Sequence, residues 1–198
     1  LAELRGEFVP QDMARMENAF GAAKALVDEL YGFAGMEVHE PVAVDVARLM
    51  RRGERLLQGR RPPNVALTID MPDDLPPVLG NVTQVGQAIG NVVLNAVEAT
   101  SWTGGTVAVS AFTELRHGRL GVVVRVDDDG PGIPEELRPR LFKPLVSSKG
   151  ARRGIGLASA SSIARSHHGT LSLVDKDDPG TRFELWLPAI ETDGPSPQ

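Results

Sequence analysis

The chain has 198 residues, of which 41% are hydrophobic and 24% are charged, a balance typical of a globular domain with its own core. Its formal net charge of −5 argues against a general nucleic-acid surface, and its lack of cysteine excludes disulfides and thiolate metal sites. No apolar run is long enough to span a bilayer. We therefore expect no nucleic-acid partner, no membrane contact by this segment and a cytoplasmic location, with any membrane anchor of a longer protein upstream of Leu1.

An apolar heptad opens the chain. Its members alternate three and four residues apart, which places them on one seam of a long helix over residues 12–34. They are Met13, Met16, Phe20, Ala23, Val27, Leu30 and Ala34. A helix packed on its own domain also shows such a seam, but the position before the main domain favours pairing with another helix or subunit.

Helices and strands intermix through the rest of the chain. Apolar periodicity and turn residues predict helices over 44–57, 81–100, 134–140 and 154–167. They predict strands over 65–70, 106–112, 120–127, 170–174 and 181–187. The proline-rich stretch 71–80 cannot be regular helix, and residues 190–198 have the composition of a disordered tail. This pattern predicts an α+β fold with helices on one face of a sheet.

Two asparagines stand out on the predicted helix 81–100. Asn91 and Asn95 share a face, with Glu98 one turn further on, whereas the opposite face is apolar. Asparagine is a poor helix former, so two on one face need a reason. An amide oxygen can bind Mg²⁺ or order a water molecule, although such a pair can also be simple surface polarity.

Two glycine-containing turns could contact a ligand closely. The D-x-G-x-G frame of Asp128, Gly130 and Gly132 follows a strand, where a carboxylate can accept from an exocyclic amine. An acidic turn is the plain alternative, and a calcium loop lacks its ligand spacing and closing glutamate. Gly154 and Gly156 open a helix behind a basic run, which suits an anion such as phosphate.

The order of these motifs resembles the GHKL (Bergerat-type) ATP-binding superfamily. Within it, residues 40–188 resemble the catalytic and ATP-binding (HATPase_c) domain of bacterial sensor histidine kinases. The matching positions are Asn91 and Asn95 (N box), Asp128, Gly130 and Gly132 (G1 box), 141–145 (F box), Gly154 and Gly156 (G2 box), and the Gly180-Thr181 turn. Asp73-Asp74-Leu75-Pro76 before the N box is also typical of the family.

The resemblance implies a Bergerat-type α/β sandwich, with a mixed, largely antiparallel sheet, helices on one face and a long N-terminal helix before it. Residues 1–38 would then be the second helix of a dimerisation hairpin and its linker. Residues 39–189 would form the ATP-binding domain, and 190–198 a disordered tail. A homodimer through residues 12–34 is implied.

The resemblance also implies ATP and Mg²⁺ as cofactors. Asp128 would bond the adenine amine, supported by Thr181 through water, and Asn95 would ligate Mg²⁺ with Asn91 beside it. The segment 143–153 would be a short lid over the nucleotide. The remaining implied nucleotide contacts are Gly130, Gly132, Ile133, Lys149, Arg152, Arg153, Gly154, Gly156 and Leu157.

One residue separates kinases from hydrolases in this superfamily. The hydrolases place a glutamate general base one turn before the metal-binding asparagine, where this chain has Asn91. An amide cannot deprotonate water, so the catalytic pair Asn91 and Asn95 favours phosphoryl transfer to a supplied nucleophile. Glu98 has suitable chemistry for a base, but it follows Asn95.

The phosphate-accepting histidine is expected before Leu1, on an upstream dimerisation helix. Pro41 would break a helix that carries His39, so His39 is a poor acceptor. His117 falls in a hairpin turn, and His167-His168 ends a helix, where a cation suits the dipole. The implied partners are this phosphoacceptor domain and the receiver domain of a response regulator.

Two other readings stay open at this point. One is a kinase-like domain that binds ATP and regulates partners without phosphotransfer. The other is a kinase of the same superfamily that phosphorylates serine on a partner protein. The apolar seam and the proline-rich connection fit a histidine kinase better.

Overall fold

A computed structural model describes residues 40–144 and 155–190 of the chain. Helices and strands alternate through these ranges. In chain order, the elements are β1 (Val42–Val44), α1 (Val46–Arg60), β2 (Val65–Asp70), β3 (Val78–Gly80), α2 (Val82–Thr100), β4 (Gly105–Arg116), β5 (Arg119–Asp128), a 3₁₀ turn (Arg138–Arg140), α3 (Gly156–Ser166), β6 (Thr170–Val174) and β7 (Thr181–Pro188).

The main sheet has five strands in the order β2-β4-β5-β7-β6. β2 runs parallel to β4, with α2 in the connection between them, and all other neighbours are antiparallel. β4 and β5 form a hairpin that turns at His117 and Gly118, both with positive φ. The short strands β1 and β3 pair separately as an antiparallel ribbon.

The core lies between one face of this sheet and helices α2 and α3. Every second residue of β5 points into it, including Val122, Val124 and Val126. On α2, the predicted apolar set is buried: Val85, Ile89, Val92, Val93 and Ala96. The side chain of Asn81 caps α2 by accepting from the backbone N–H groups of Thr83 and Gln84 at 2.9 and 3.1 Å. The face of α2 that carries Asn91 contacts the start of α3.

The opposite face of the sheet holds a polar network in place of helices. Glu184 on β7 is buried and accepts from Arg125 at 2.8 Å and from Arg116 at 2.5 Å. The Arg125 guanidinium lies 4.6 Å from the centre of the Phe112 ring, in a cation–π arrangement. Trp186 packs over Gly121, where a Cβ atom would overlap its indole. These side chains connect β4, β5 and β7.

The predicted α+β class, with a mixed sheet and helices, is confirmed. The long N-terminal helix of that prediction, the boundary near residue 38 and the tail after Ile190 lie outside the described residues. Within the described ranges, no helix is both long enough and apolar enough to cross a membrane.

Three predicted elements differ from the structure. The helix predicted over 134–140 is only the 3₁₀ turn Arg138–Arg140, because Pro139 removes a donor and blocks a longer helix. The strands β1 and β3 were missing from the prediction, since three residues are too few to show a period. β4 and β5 extend further than predicted, because their polar ends pair with each other beyond the core.

Candidate functional site

The predicted site residues of the described ranges converge at one end of the core. Asn91 lies on α2 beside the start of α3, and its side-chain amide donates to the carbonyl of Gly156 at 3.2 Å. A Cβ atom at Gly156 would lie 3.8 Å from the Asn91 side chain, in ordinary contact. The structure therefore brings Asn91 of the N box together with Gly156, the second glycine of the G2 box, and no residue of the described ranges donates to the Asn91 amide oxygen.

Asn95 is half-buried one turn further along α2, and its side chain makes no hydrogen bond to any described residue. Amide oxygens are hard ligands that suit Mg²⁺, which usually takes few protein ligands and completes its shell with water and phosphate. No cluster of three acidic or histidine side chains that could hold a metal occurs in the described ranges. Asn95 and the Asn91 oxygen thus fit a metal that arrives with a nucleotide, and not a metal caged by protein alone.

The three consecutive aspartates at the end of β5 have different surroundings. Asp127 points to the outer face and pairs with Arg182 at 2.7 Å. Asp129 is exposed and accepts from the backbone N–H of Thr106 at 2.8 Å. Asp128 continues the inward row of Val122, Val124 and Val126 and is only 2% exposed. Strand alternation alone selects Asp128 as the carboxylate that faces the site.

The Asp128 carboxylate is incompletely satisfied. Its Oδ1 accepts from the backbone N–H of Gly130 at 3.0 Å, but its Oδ2 is buried without a hydrogen-bond partner in the described part of the chain. Burial raises the pKa of Asp128, and the Gly130 N–H, the Lys176 charge and Thr181 oppose that rise without cancelling it. Thr181 is the register partner of Asp128 on β7, is itself buried and lies near enough to the carboxyl to lower its pKa, yet its geometry does not make a full hydrogen bond to Oδ2. A buried acceptor without a donor is suited to a ligand amine.

Glycines allow the backbone segments around Asp128 to pack closely against each other. Gly132 and Gly180 have φ angles of 76° and 111°, values that L side chains rarely adopt. A Cβ atom at Gly180 would overlap the carbonyl oxygen of Asp128, so the β6–β7 loop passes directly over the end of β5. Gly132 and Gly180 are therefore required for steric reasons: both have positive φ angles, and Gly180 leaves no room for a side chain.

Apolar side chains flank the same region. Leu157 on α3 is buried, and Ile133 is half-buried and packs against the core. Phe142 from the F box contacts Phe183 edge-on, with ring centres 6.3 Å apart. The predicted phosphate-binding residues Lys149, Arg152, Arg153 and Gly154 lie outside the described residues.

A comparison with protein families identifies this arrangement. The family described as "Histidine kinase-, DNA gyrase B-, and HSP90-like ATPase" matches residues 80–191, which include α2, β5, α3 and β7. The chain belongs to this family.

Individual relatives of this ATPase-family chain are sensor kinases. The sensory histidine kinase/phosphatase NtrB of Klebsiella oxytoca is 34% identical over 172 residues, covering 82% of this chain and 48% of the relative. The chain thus spans about half the length of the curated relatives it matches. The mycobacterial sensor histidine kinase MprB is similar with a TM-score of 0.61 and 28% identity, covering 77% of this chain and 98% of that structure.

A further solved structure supports the fold alone. Full-length ShkA, crystallised with AMPPNP, matches with a TM-score of 0.73 and 24% identity. The match covers 98% of this chain and 42% of ShkA.

Two of the histidines, His117 and His167, lie at positions that indicate a structural role. His117 is exposed in the β4–β5 turn. His167 is buried at the end of α3 and accepts from the backbone N–H of Asn81 at 3.0 Å through Nε2. Its Nδ1 lies 2.8 Å from the Ile163 carbonyl, so it carries the proton. A structural role was predicted for His167, but the predicted reason was wrong, because the ring is a neutral acceptor and not a cation at a helix end.

Sequence reasoning missed Lys176. This residue lies in the acidic β6–β7 loop, and its amine donates to the backbone carbonyl of Asp128 at 2.8 Å. The one signal available was a single lysine among Asp175, Asp177 and Asp178, directly before the Gly180-Thr181 turn. From sequence alone, such a lysine is predicted to be a solvated surface charge, because its contact depends on the path of the loop.

Proposed function

We propose that this chain binds Mg-ATP between α2, the end of β5, the start of α3 and the start of β7, and supports transfer of its γ-phosphoryl group to a histidine. The acceptor would lie on a dimerisation domain that precedes this segment in a longer protein. The family match and the sensor-kinase relatives support this reaction class.

The observation that carries the proposal is the Asp128 carboxylate. It is buried beside the turns of Gly132 and Gly180, and its Oδ2 has no partner among the described residues. An adenine amine would donate to this oxygen, and the half-buried Ile133 and buried Leu157 would contact the base or ribose. Because the buried charge gains its missing hydrogen bond only from the ligand, adenine binding is favoured there.

Asn91 favours transfer over hydrolysis. Its amide nitrogen is engaged with Gly156, and its oxygen cannot act as a base toward water. In the proposed reaction, the bond from the γ-phosphorus to the bridging oxygen breaks, ADP leaves with the electron pair, and a phosphorus–nitrogen bond to imidazole forms. A bound Mg²⁺ would offset the phosphate charge, with Asn95 and Asn91 as its protein ligands.

The other partners follow from the relatives and are proposed with the reaction. The phosphohistidine would pass its phosphoryl group to the receiver domain of a response regulator, and residues 12–34 would hold two copies together as a dimer. We propose that this segment works in the cytoplasm, where ATP is available.

Nucleotide binding and phosphotransfer can be tested separately on this chain. We expect Asp128→Ala to weaken Mg-ATP binding by more than about tenfold, the worth of one hydrogen bond to a charged group. Titration calorimetry measures this, with Asp70→Ala as the matched control, because Asp70 is exposed at the end of β2. Unchanged Mg-ATP affinity in Asp128→Ala would contradict the assignment of Asp128 to the nucleotide site.

For phosphotransfer, the chain is mixed with a purified dimerisation hairpin of an NtrB-type kinase and γ-labelled ATP. We expect acid-labile phosphate on the hairpin, none on the chain alone, and loss of the signal in Asn95→Ala. ATP binding without any transfer would favour the regulatory reading, and acid-stable phosphate on a partner would favour a serine kinase. Label on the isolated chain would contradict an upstream acceptor.

A further inference from the structure

The β6–β7 loop reaches into the adenine end of the proposed site. Asp177 and Asp178 of this loop are exposed, but Lys176 between them and the strand is half-buried. Its amine donates to the Asp128 carbonyl at 2.8 Å. On the other side of Lys176, Asp175 pairs with Arg138 of the 3₁₀ turn at 2.9 Å. The loop is therefore tied at neighbouring residues to the end of β5 and to the segment that leads into the F box.

Lys176 and Gly180 enclose the same peptide group. The Asp128 carbonyl receives the lysine amine, and a side chain at Gly180 would overlap its oxygen. A buried backbone carbonyl needs a hydrogen-bond donor. Lys176 supplies that donor and, with it, a positive charge next to a buried carboxylate.

Lys176 is the cation whose charge acts on Asp128. Burial raises the pKa of Asp128, and the Lys176 charge lowers it again in part. The neighbouring acids on β5 are otherwise engaged, because Asp127 pairs with Arg182 and Asp129 accepts from Thr106. On α2, Ala99 packs beside Gly130 and the adjoining Glu98 is exposed. Among the charged side chains around Asp128, Lys176 is therefore the one that favours the ionised carboxyl.

We propose that Lys176 is a positioning residue that fixes the Asp128 main chain and keeps its carboxyl an acceptor, so that the site selects an amino group over a carbonyl at that ring position. The inference rests on the proposed function, because it takes Asp128 as the partner of the adenine amine. An ionised carboxylate only accepts hydrogen bonds, whereas a protonated one also donates. The amine of adenine needs an acceptor, and the carbonyl at the same position of hypoxanthine needs a donor.

The test compares ADP with inosine diphosphate, which carry the same phosphates and differ only in the base, where the amine becomes a carbonyl and the adjacent ring nitrogen gains a hydrogen. Affinities of the full chain for both are measured by calorimetry from mildly acidic to neutral pH. Phosphate ionisation and Mg²⁺ affect both ligands alike, so their affinity ratio reports on the base alone. In the wild type, we expect a preference for ADP that is lost only in acid.

Two variants distinguish the effect of the Lys176 hydrogen bond from the effect of its positive charge. Lys176→Met removes both, whereas Lys176→Gln keeps a donor for the Asp128 carbonyl. For both, we expect the ADP preference to be lost at a higher pH than in the wild type, with a drop of about tenfold in the ratio at the wild-type midpoint. Asp177→Asn, an exposed neighbour that also alters the loop charge by one unit, should leave the profile unchanged. If Lys176→Met does not fold, Lys176→Gln carries the test.

The outcomes distinguish this inference from the proposed function. Equal weakening of both ligands in the Lys176 variants, with an unchanged pH profile, overturns the inference and leaves the proposed function standing. A wild type that binds both diphosphates equally at neutral pH overturns the assignment of Asp128, and the role of Lys176 falls with it.

Discussion

Folding moves the Asp128 carboxyl from water to a site where it is 2% exposed and Oδ2 lacks a partner among the described residues. Because the folded pKa is raised, folding disfavours the ionised form. The free energy of unfolding therefore falls as pH rises from the ordinary aspartate range through the folded pKa, and above that pKa the cost is present in full. In the proposed function, this loss of stability accompanies an acceptor that is kept for the ligand.

We therefore expect Asp128→Asn to unfold at a higher denaturant concentration than the wild type at neutral pH without nucleotide. The amide removes the buried charge, and its oxygen can still accept from the Gly130 N–H. The same variant should lose most of its thermal stabilisation by ADP. Asp70→Asn serves as the control and should change neither quantity. A lower midpoint for Asp128→Asn would show that burial of this charge costs little.

At this scale, the sequence predicted Asp128 as a ligand-binding carboxylate, and the structure shows that it is buried, whereas no sequence pattern pointed to Lys176. The glycine frame selected Asp128, and the apolar residues two, four and six positions before it give the physical reason, since all share one face of β5. The contact of Lys176 spans 48 residues and depends on the course of a loop. No local pattern encodes that course.

At the scale of elements, both ends of α3 are hydrogen-bonded to α2. Asn91 bonds Gly156 at the site end, and His167 bonds the Asn81 N–H at the other. Gly80, just before Asn81, lets the imidazole approach, because a Cβ atom there would overlap the ring. Asn81, the capping residue of α2, is therefore positioned by the C-terminal end of α3.

A double-mutant cycle tests this contact. We expect His167→Ala to cost about 1–3 kcal/mol through the lost hydrogen bond, and Gly80→Ala a similar amount through overpacking. In the His167→Ala background, Gly80→Ala should cost much less, because the atoms it meets there are mostly imidazole. Denaturant unfolding of the four proteins measures the coupling.

Gly86→Ala is the control for that cycle. Gly86 is on α2 as well, but a Cβ atom there meets only Leu49 at ordinary contact distance. It should be neutral or slightly stabilising, because alanine is the better helix former, and it should add independently to His167→Ala. Additive costs for Gly80→Ala and His167→Ala would contradict the proposed packing.

Helix α2 was predictable from sequence, and the ribbon β1–β3 was not. A capping asparagine and an unbroken apolar period give α2 its start and its buried face. β1 and β3 owe their conformation to each other, across the whole of α1 and β2. Pro139 explains why the helix predicted over 134–140 forms only a 3₁₀ turn, because proline lacks the backbone donor that a longer helix needs.

For the whole molecule, two buried acids act on stability in opposite directions. Burial raises the pKa of Glu184, but Arg125 and Arg116 outweigh it, and the net pKa is lowered. The stabilisation from Glu184 is thus present above the ordinary glutamate range and is lost as pH falls through its folded pKa. The Asp128 carboxyl, in contrast, destabilises the fold above its own raised pKa. The two titration windows lie on opposite sides of about pH 4.

We therefore expect the nucleotide-free protein to be most stable at mildly acidic pH. As pH falls from neutral, protonation of Asp128 first raises the free energy of unfolding, and protonation of Glu184 then lowers it. Denaturant midpoints measured across this pH range give the curve.

One variant tests each side of the stability maximum. Asp128→Asn should flatten the limb above the maximum, whereas Glu184→Gln should flatten the limb below it. Glu184→Gln should also cost about 1–3 kcal/mol at neutral pH, since Arg125 and Arg116 lose a charged partner. A saturating concentration of ADP should reverse the upper limb in the wild type, because the ligand binds the ionised form of Asp128, and it should have no such effect in Asp128→Asn. An upper limb that persists in Asp128→Asn would assign it to another group and remove the link between this fold's pH dependence and its nucleotide site.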